Sequence, residues 1–161
     1  MIALDTTPAA KIAPNSLGYQ RAVEAHAAGD PYAITSAVLT ELLFGMERKR
    51  GDAGWDNQRQ FLHSLIDAGV LTVLPFDDRA AAVAARLRAI RRVPSGNTSA
   101  KAAQRSKADS RVAWVMDLHT AATVFVSGAI LASDDAHHAT IASDLDSFTG
   151  GEAHTVVSAP F

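Results

Sequence analysis

Residues 1–7, MIALDTT, pass from an apolar run into an aspartate followed by two threonines. Ile2 to Leu4 is short, apolar and bounded, which suits a buried strand. An aspartate just past such a strand stands at the strand's carboxyl end. What that placement means depends on the kind of sheet the strand joins, and on whether other acids fall at matching positions.

Outward from this stretch, strand-like and helix-like segments alternate. Residues from about Gly18 to Ala28 read as a helix stopped by Gly29 and Asp30-Pro31. Tyr32 to Ile34 is a second strand. A helix follows from about Ser36 to Lys49, with Val38, Leu39, Leu42, Leu43 and Met46 along one face. Gln58 to Ala68 is amphipathic and ends at Gly69. Val70 to Leu74 is a β-branched strand closed by Pro75. Asp77 or Asp78 can cap a helix reaching about Arg92. Pro94 to Lys107 is polar and basic and reads as a loop. A long apolar helix spans about Asp109 to Ser127, a strand Ala129 to Ala132, and a short helix follows the Asp134-Asp135 pair. His154 to Ser158 is the last strand. This alternation predicts a parallel sheet with helices on both faces. In such sheets ligands gather at the carboxyl ends of the strands.

The bulk composition agrees. At 161 residues and 48% apolar, the chain suits one domain, 1–161, with a full core. It has no cysteine, which removes disulfides and thiolate-ligated metals. No apolar run approaches the roughly 18 to 20 residues of a membrane span, and no signal peptide is evident. The expectation is a soluble, cytoplasmic protein with no membrane association.

Charge is unevenly spread. Arg86, Arg88, Arg91, Arg92, Lys101, Arg105, Lys107 and Arg111 face one acid, Asp109, in the same stretch. That is a local net of +7 in a chain of net −2, leaving −9 for the remainder. Such a basic block suits a phosphate backbone, or equally a solvated surface.

Three further acid positions match Asp5. Glu41 lies about 60° from Val38 around its helix, on the flank of the apolar stripe. Asp117 sits in a helix apolar nearly all round, where a lone ionised carboxylate costs several kcal/mol unless paired or bound to a metal. Asp134 and Asp135 follow the strand AILAS, mirroring Asp5. Clustered carboxylates need protons or cations between them. Oxygen-only donors without cysteine suit Mg²⁺ or Mn²⁺, ions that activate water for phosphodiester cleavage. Taken singly, each acid also has an ordinary reading as a turn, cap or solvated helix residue.

In this order, MIALDTT, ITSAVLTELLFGMER (34–48) and MDLHTAATVFVSGAILASDD (116–135) resemble the PIN-domain ribonucleases, most closely the VapC-type toxins of toxin–antitoxin pairs. The resemblance implies a three-layer α/β/α fold with a central parallel sheet and a Mg²⁺- or Mn²⁺-dependent endoribonuclease. It makes Asp5, Glu41, Asp117 and Asp135 the metal-binding acids, with Asp134 a close competitor for the fourth place. Ser133 and Thr7 take the small hydroxyl positions that orient a ligand or the attacking water. The basic residues from Arg86 to Arg111 become the RNA contact. A cognate antitoxin and a second copy of the chain are the implied protein partners, and Phe44, off the apolar stripe of its helix, offers hydrophobic surface to either. The chain departs from the family pattern at His138 and at His119-Thr120. The alternative is a catalytically inactive PIN-like module that binds RNA or protein without cutting.

Overall fold

The computed structural model describes residues 1–90, 107–149 and 155–161. Chain order begins with β1 (Ile2–Leu4) and a five-residue helix α1 (Thr6–Ala10). Asp5 caps α1, accepting from the Thr6 N–H. The TTPAA segment gave no helical periodicity to read. It is helical because Pro8 falls in the first turn, where its missing N–H has no partner to lose. Ser16 caps α2 (Leu17–Ala27), its hydroxyl accepting from Tyr19 N–H. Thr35, the last residue of β2 (Tyr32–Thr35), caps α3 (Ser36–Glu47) in the same way.

Helix α4 (Ala53–Asp67) starts earlier than periodicity indicates. Its Asp52 carboxylate accepts from Gly54 N–H, so capping starts the helix despite a glycine in its first turn. After β3 (Leu71–Leu74), Asp77 rather than Asp78 caps α5 (Asp78–Ile90), accepting from Ala80 N–H at 2.8 Å. The expected basic loop at about 94–107 lies outside the described residues except for Lys107, which opens α6 (Lys107–Val126). The chain closes with β4 (Ile130–Ala132), α7 (Ala136–Thr149) and β5 (Val156–Val157).

The five strands form one sheet in the order β3-β2-β1-β4-β5, and every pair is parallel. Side chains alternate across it. Leu4, Ile34, Leu71 and Ala132 point to one face, packing with Ala22, Val38, Leu42, Leu62 and Leu65 of α2, α3 and α4. Ala3, Ala33, Leu74 and Leu131 point to the other, against Val124 of α6. There the paired residues of the two central strands, Ala3 and Ala33, are small. Beyond this layer Leu87, Trp114, Leu118, Ile141 and Leu145 join α5, α6 and α7. Helices therefore cover both faces, the arrangement an all-parallel sheet needs because neither side can face water. Among the described residues no helix is long and apolar enough to cross a membrane.

The start of α2 passes so close to the end of α1 that a Cβ on Gly18 would lie 2.6 Å from the Lys11 carbonyl oxygen. On Gly45 of α3 a Cβ would meet nothing within 4 Å. Gly18→Ala is therefore expected to destabilise the protein, because rigid backbone must shift. Gly45→Ala is expected to gain roughly 0.5–1 kcal/mol from helix propensity. Urea denaturation of the two variants checks the opposite signs.

Candidate active site

The site begins with strand register. Leu4 pairs with Ala132 on adjacent parallel strands, so the next residues, Asp5 and Ser133, emerge side by side at the carboxyl edge. Asp5 N–H donates to the Ala132 carbonyl at 3.0 Å, and Ser133 N–H to the Val157 carbonyl at 2.9 Å. Both backbones are thereby tied to the sheet. The Asp5 Oδ1 accepts from Thr6 N–H at 2.7 Å. Its Oδ2 accepts from the Ser133 hydroxyl at 2.7 Å and lies 3.4 Å from His138 Nε2. His138, in the first turn of α7, is only 2% exposed, and its Nδ1 has no partner among the described residues.

Burial by itself raises the Asp5 carboxyl. The His138 hydrogen bond and charge, Ser133 and the Thr6 N–H outweigh it and hold Asp5 below the ordinary carboxylate range. For His138, burial disfavours the imidazolium. The hydrogen bond it donates to Asp5 and the negative charges of Asp5, Asp117 and Asp135 overcome this and raise it above its ordinary value. Three acids from β1, α6 and the β4–α7 turn thus act on one buried ring.

Glu41, half-buried on α3, accepts from the Thr6 hydroxyl through Oε2. Thr7 is exposed on α1, so it is Thr6 that links Glu41 to the Asp5 segment. Asp117 lies on α6 with its Oδ2 3.0 Å from His137 Nδ1, and both side chains are 29% exposed. The apolar surroundings in sequence suggested a buried helix around Asp117. In fact Val112 and Arg111 on the same helix are exposed, and Asp117 keeps access to water.

The Asp134-Asp135 pair divides. Asp135 sits on the site: its N–H donates to Ser133 Oγ at 3.1 Å, and its Oδ1 accepts from His137 N–H at 2.8 Å. Asp134 accepts from Ala159 N–H at 3.0 Å, on the side of the segment after β5.

Of the basic block, Arg86, Arg88 and Arg111 are exposed. Arg86 lies over the Phe148 ring at 4.5 Å. Arg91, Arg92, Lys101 and Arg105 lie outside the described residues, and of Lys107 only its place at the start of α6 is described. His119 stacks on Phe76 at 4.3 Å, and burial first, then the Arg88 charge, lowers its pKa. Phe44 is 63% exposed, with the Arg48 guanidinium 5.9 Å from its ring centre. It is not covered by α4. The histidines 137 and 138 contact two of the acids; the sequence marked His138 only as a departure from the family pattern and gave no signal for His137 beyond its adjacency to Asp135.

The donor set fits a hard divalent cation in kind, since Asp5, Glu41, Asp117 and Asp135 supply oxygen only. Among the described residues no three His, Asp or Glu side chains already gather as a ligand cage. Mg²⁺ does not require one, because it is commonly held by one or two carboxylates and several waters. Asp117, at 29% exposure, has the access this mode needs.

A family model described as "PIN domain" matches residues 2–144. No curated protein sequence matches. Among solved structures, the fold is similar to that of VapBC2 from Rickettsia felis bound to a promoter DNA fragment. There the TM-score is 0.58 at 19% identity, covering 88% of this chain and 93% of that one. It is similar also to DNA-bound VapBC from Salmonella typhimurium, with TM-score 0.57, 17% identity and coverage of 98% and 96%. FitAcB from Neisseria gonorrhoeae gives 0.51, 20%, and coverage of 99% and 98%.

The Asp5–His138 pair sets a pH signature for the metal-free protein. A raised histidine stabilises fully below its unfolded value of 6.5 and loses that contribution as pH rises through its higher folded value. A lowered aspartate stabilises above its unfolded value of 3.8 and loses it as pH falls through its lower folded value. The Tm gap between wild type and His138→Gln is therefore expected to be widest between these two limits and to narrow on both sides. Thermal melts across pH in the presence of chelator measure it, and a constant gap would contradict the pairing.

Proposed function

This chain belongs to the PIN-domain family, and on that premise we propose that it is a Mg²⁺- or Mn²⁺-dependent endoribonuclease, the toxin of a VapBC-type toxin–antitoxin pair. One observation carries the reading. Asp5 and the Asp135 N–H share the Ser133 hydroxyl, and His137 joins Asp135, through its backbone N–H, to Asp117, through Nδ1, so one hydrogen-bonded chain at the carboxyl edge of the sheet links acids from three separate segments. Glu41 is joined to the same corner through Thr6.

In this reading Asp5, Glu41, Asp117 and Asp135 hold the ion, some through water. The ion, when bound, neutralises charge on a phosphodiester and activates water for in-line cleavage. The protein's own contribution is orientation. Thr6 N–H, Ser133 and His138 fix the Asp5 carboxylate at three points, which leaves little rotational freedom to lose on binding. The Thr6 hydroxyl fixes Glu41, and His137 Nδ1 lies 3.0 Å from Asp117 Oδ2. Thr7, exposed on the first turn of α1, is the second hydroxyl we assign to positioning a ligand or the attacking water. Asp134, engaged with Ala159, is the weaker choice for the fourth acid. Arg86, Arg88 and Arg111, with the rest of the basic block, attract the RNA backbone.

The likeness to VapBC and FitAcB complexes supports a cognate antitoxin as partner. Exposed Phe44 on α3 supports a contact with that partner or with a second copy in a homodimer.

A labelled single-stranded RNA incubated with protein and Mg²⁺ or Mn²⁺ tests the reading. Cleavage should stop with chelator. Asp5→Asn and Asp117→Asn should each lose more than the roughly hundredfold that even an outer-shell partner can cost. Arg86→Ala and Arg111→Ala should raise KM with little change in kcat and weaken the salt dependence. RNA retention without cleavage by wild type would leave a binding module instead.

A further inference from the structure

Two consecutive histidines open α7, and each meets a different acid of the site. His138 is buried and points Nε2 at Asp5. His137 is different: it is 29% exposed, matches Asp117 in exposure, and faces it through Nδ1. Its backbone is held as well, since His137 N–H donates to the Asp135 carboxylate at 2.8 Å. The residue is thereby tied to two of the four acids, through its backbone to Asp135 and through its ring to Asp117, and the ring keeps access to solvent.

The Nδ1–Oδ2 separation of 3.0 Å is informative. Adjacent ligands of an octahedral ion with bonds of about 2.1 Å lie about 3.0 Å apart, because the octahedron's edge is √2 times the bond. A hydrogen bond has this length too. The two arrangements share the separation but not the angle: the proton of a hydrogen bond lies on the N···O line, whereas a cation would sit off it, about 2.1 Å from each atom. Exchanging one for the other therefore asks the two side chains to turn while their separation is kept.

We propose that His137 is a nitrogen ligand of the cation held at Asp117, so that this site takes a first-row transition-metal dication in preference to Mg²⁺. The inference rests on the metal-binding reading above. Its chemistry is that of ligand softness. Mg²⁺ is bound by oxygen and gains little from an imidazole, whereas affinity for a nitrogen-containing site rises from Mn²⁺ to Co²⁺. A site of carboxylates alone would discriminate less.

The test uses the full chain, with Mg²⁺, Mn²⁺ and Co²⁺ each added alone. Electron spin-echo measurements on the Mn²⁺-loaded protein should show a directly bound ¹⁴N, and the signal should vanish in His137→Gln. By titration calorimetry, His137→Gln should weaken Mn²⁺ and Co²⁺ by about tenfold or more, while Mg²⁺ changes by less than about twofold. A residue that only orients Asp117 would weaken all three ions alike, and that result overturns the proposal. So does bound Mn²⁺ with no nitrogen coupling, or a coupling that persists in His137→Gln; the metal-dependent reading then stands without it. If none of the three ions binds, the metal-dependent reading falls as well.

Discussion

The pairing of β1 with β4 is the constraint on which the rest depends. Because Leu4 stands opposite Ala132 in a parallel ladder, the residues that follow leave the sheet together. Asp5 and Ser133 are 128 positions apart in sequence and hydrogen-bonded in space. A slip of one residue would turn Leu4 and Ala132 to the wrong face and carry Asp5 away from Ser133. The apolar alternation that builds the two core layers thus also sets the register of the polar edge. Core and site are specified by the same pairing.

That edge is polar for a reason of layer geometry. Helices cover both faces of the sheet, so a ligand is met at the carboxyl ends of the strands. The strands β1 and β2 end in residues that cap the following helix: Asp5 for α1 and Thr35 for α3. A capping residue must be a short acceptor. Asp5 meets this need through Oδ1 while Oδ2 is turned to Ser133 and His138. One carboxylate thus serves local structure and the site together.

The two histidines of α7 give this edge its character. His138 is placed in the core with Nε2 3.4 Å from Asp5, whereas His137 stays at the rim beside Asp117. They are neighbours about 100° apart on a helix, which is why one is buried and the other half-exposed.

The sequence by itself determined the alternation of strands and helices, and with it the parallel sheet, because buried strands and amphipathic helices have different apolar periods. It also marked Asp5, Glu41, Asp117 and the Asp134-Asp135 pair. Short capped elements such as α1, and the early start of α4, stayed hidden because capping depends on single side-chain contacts rather than on periodicity. Only the tertiary structure distinguished the surroundings of Asp135 from those of Asp134: Ser133 and His137 for one, Ala159 for the other. It also put Thr6 on Glu41 and the histidines on the acids. Such partners are separated by up to 133 residues of chain, and a periodic pattern carries no information across that distance. Strand pairing brings them within reach.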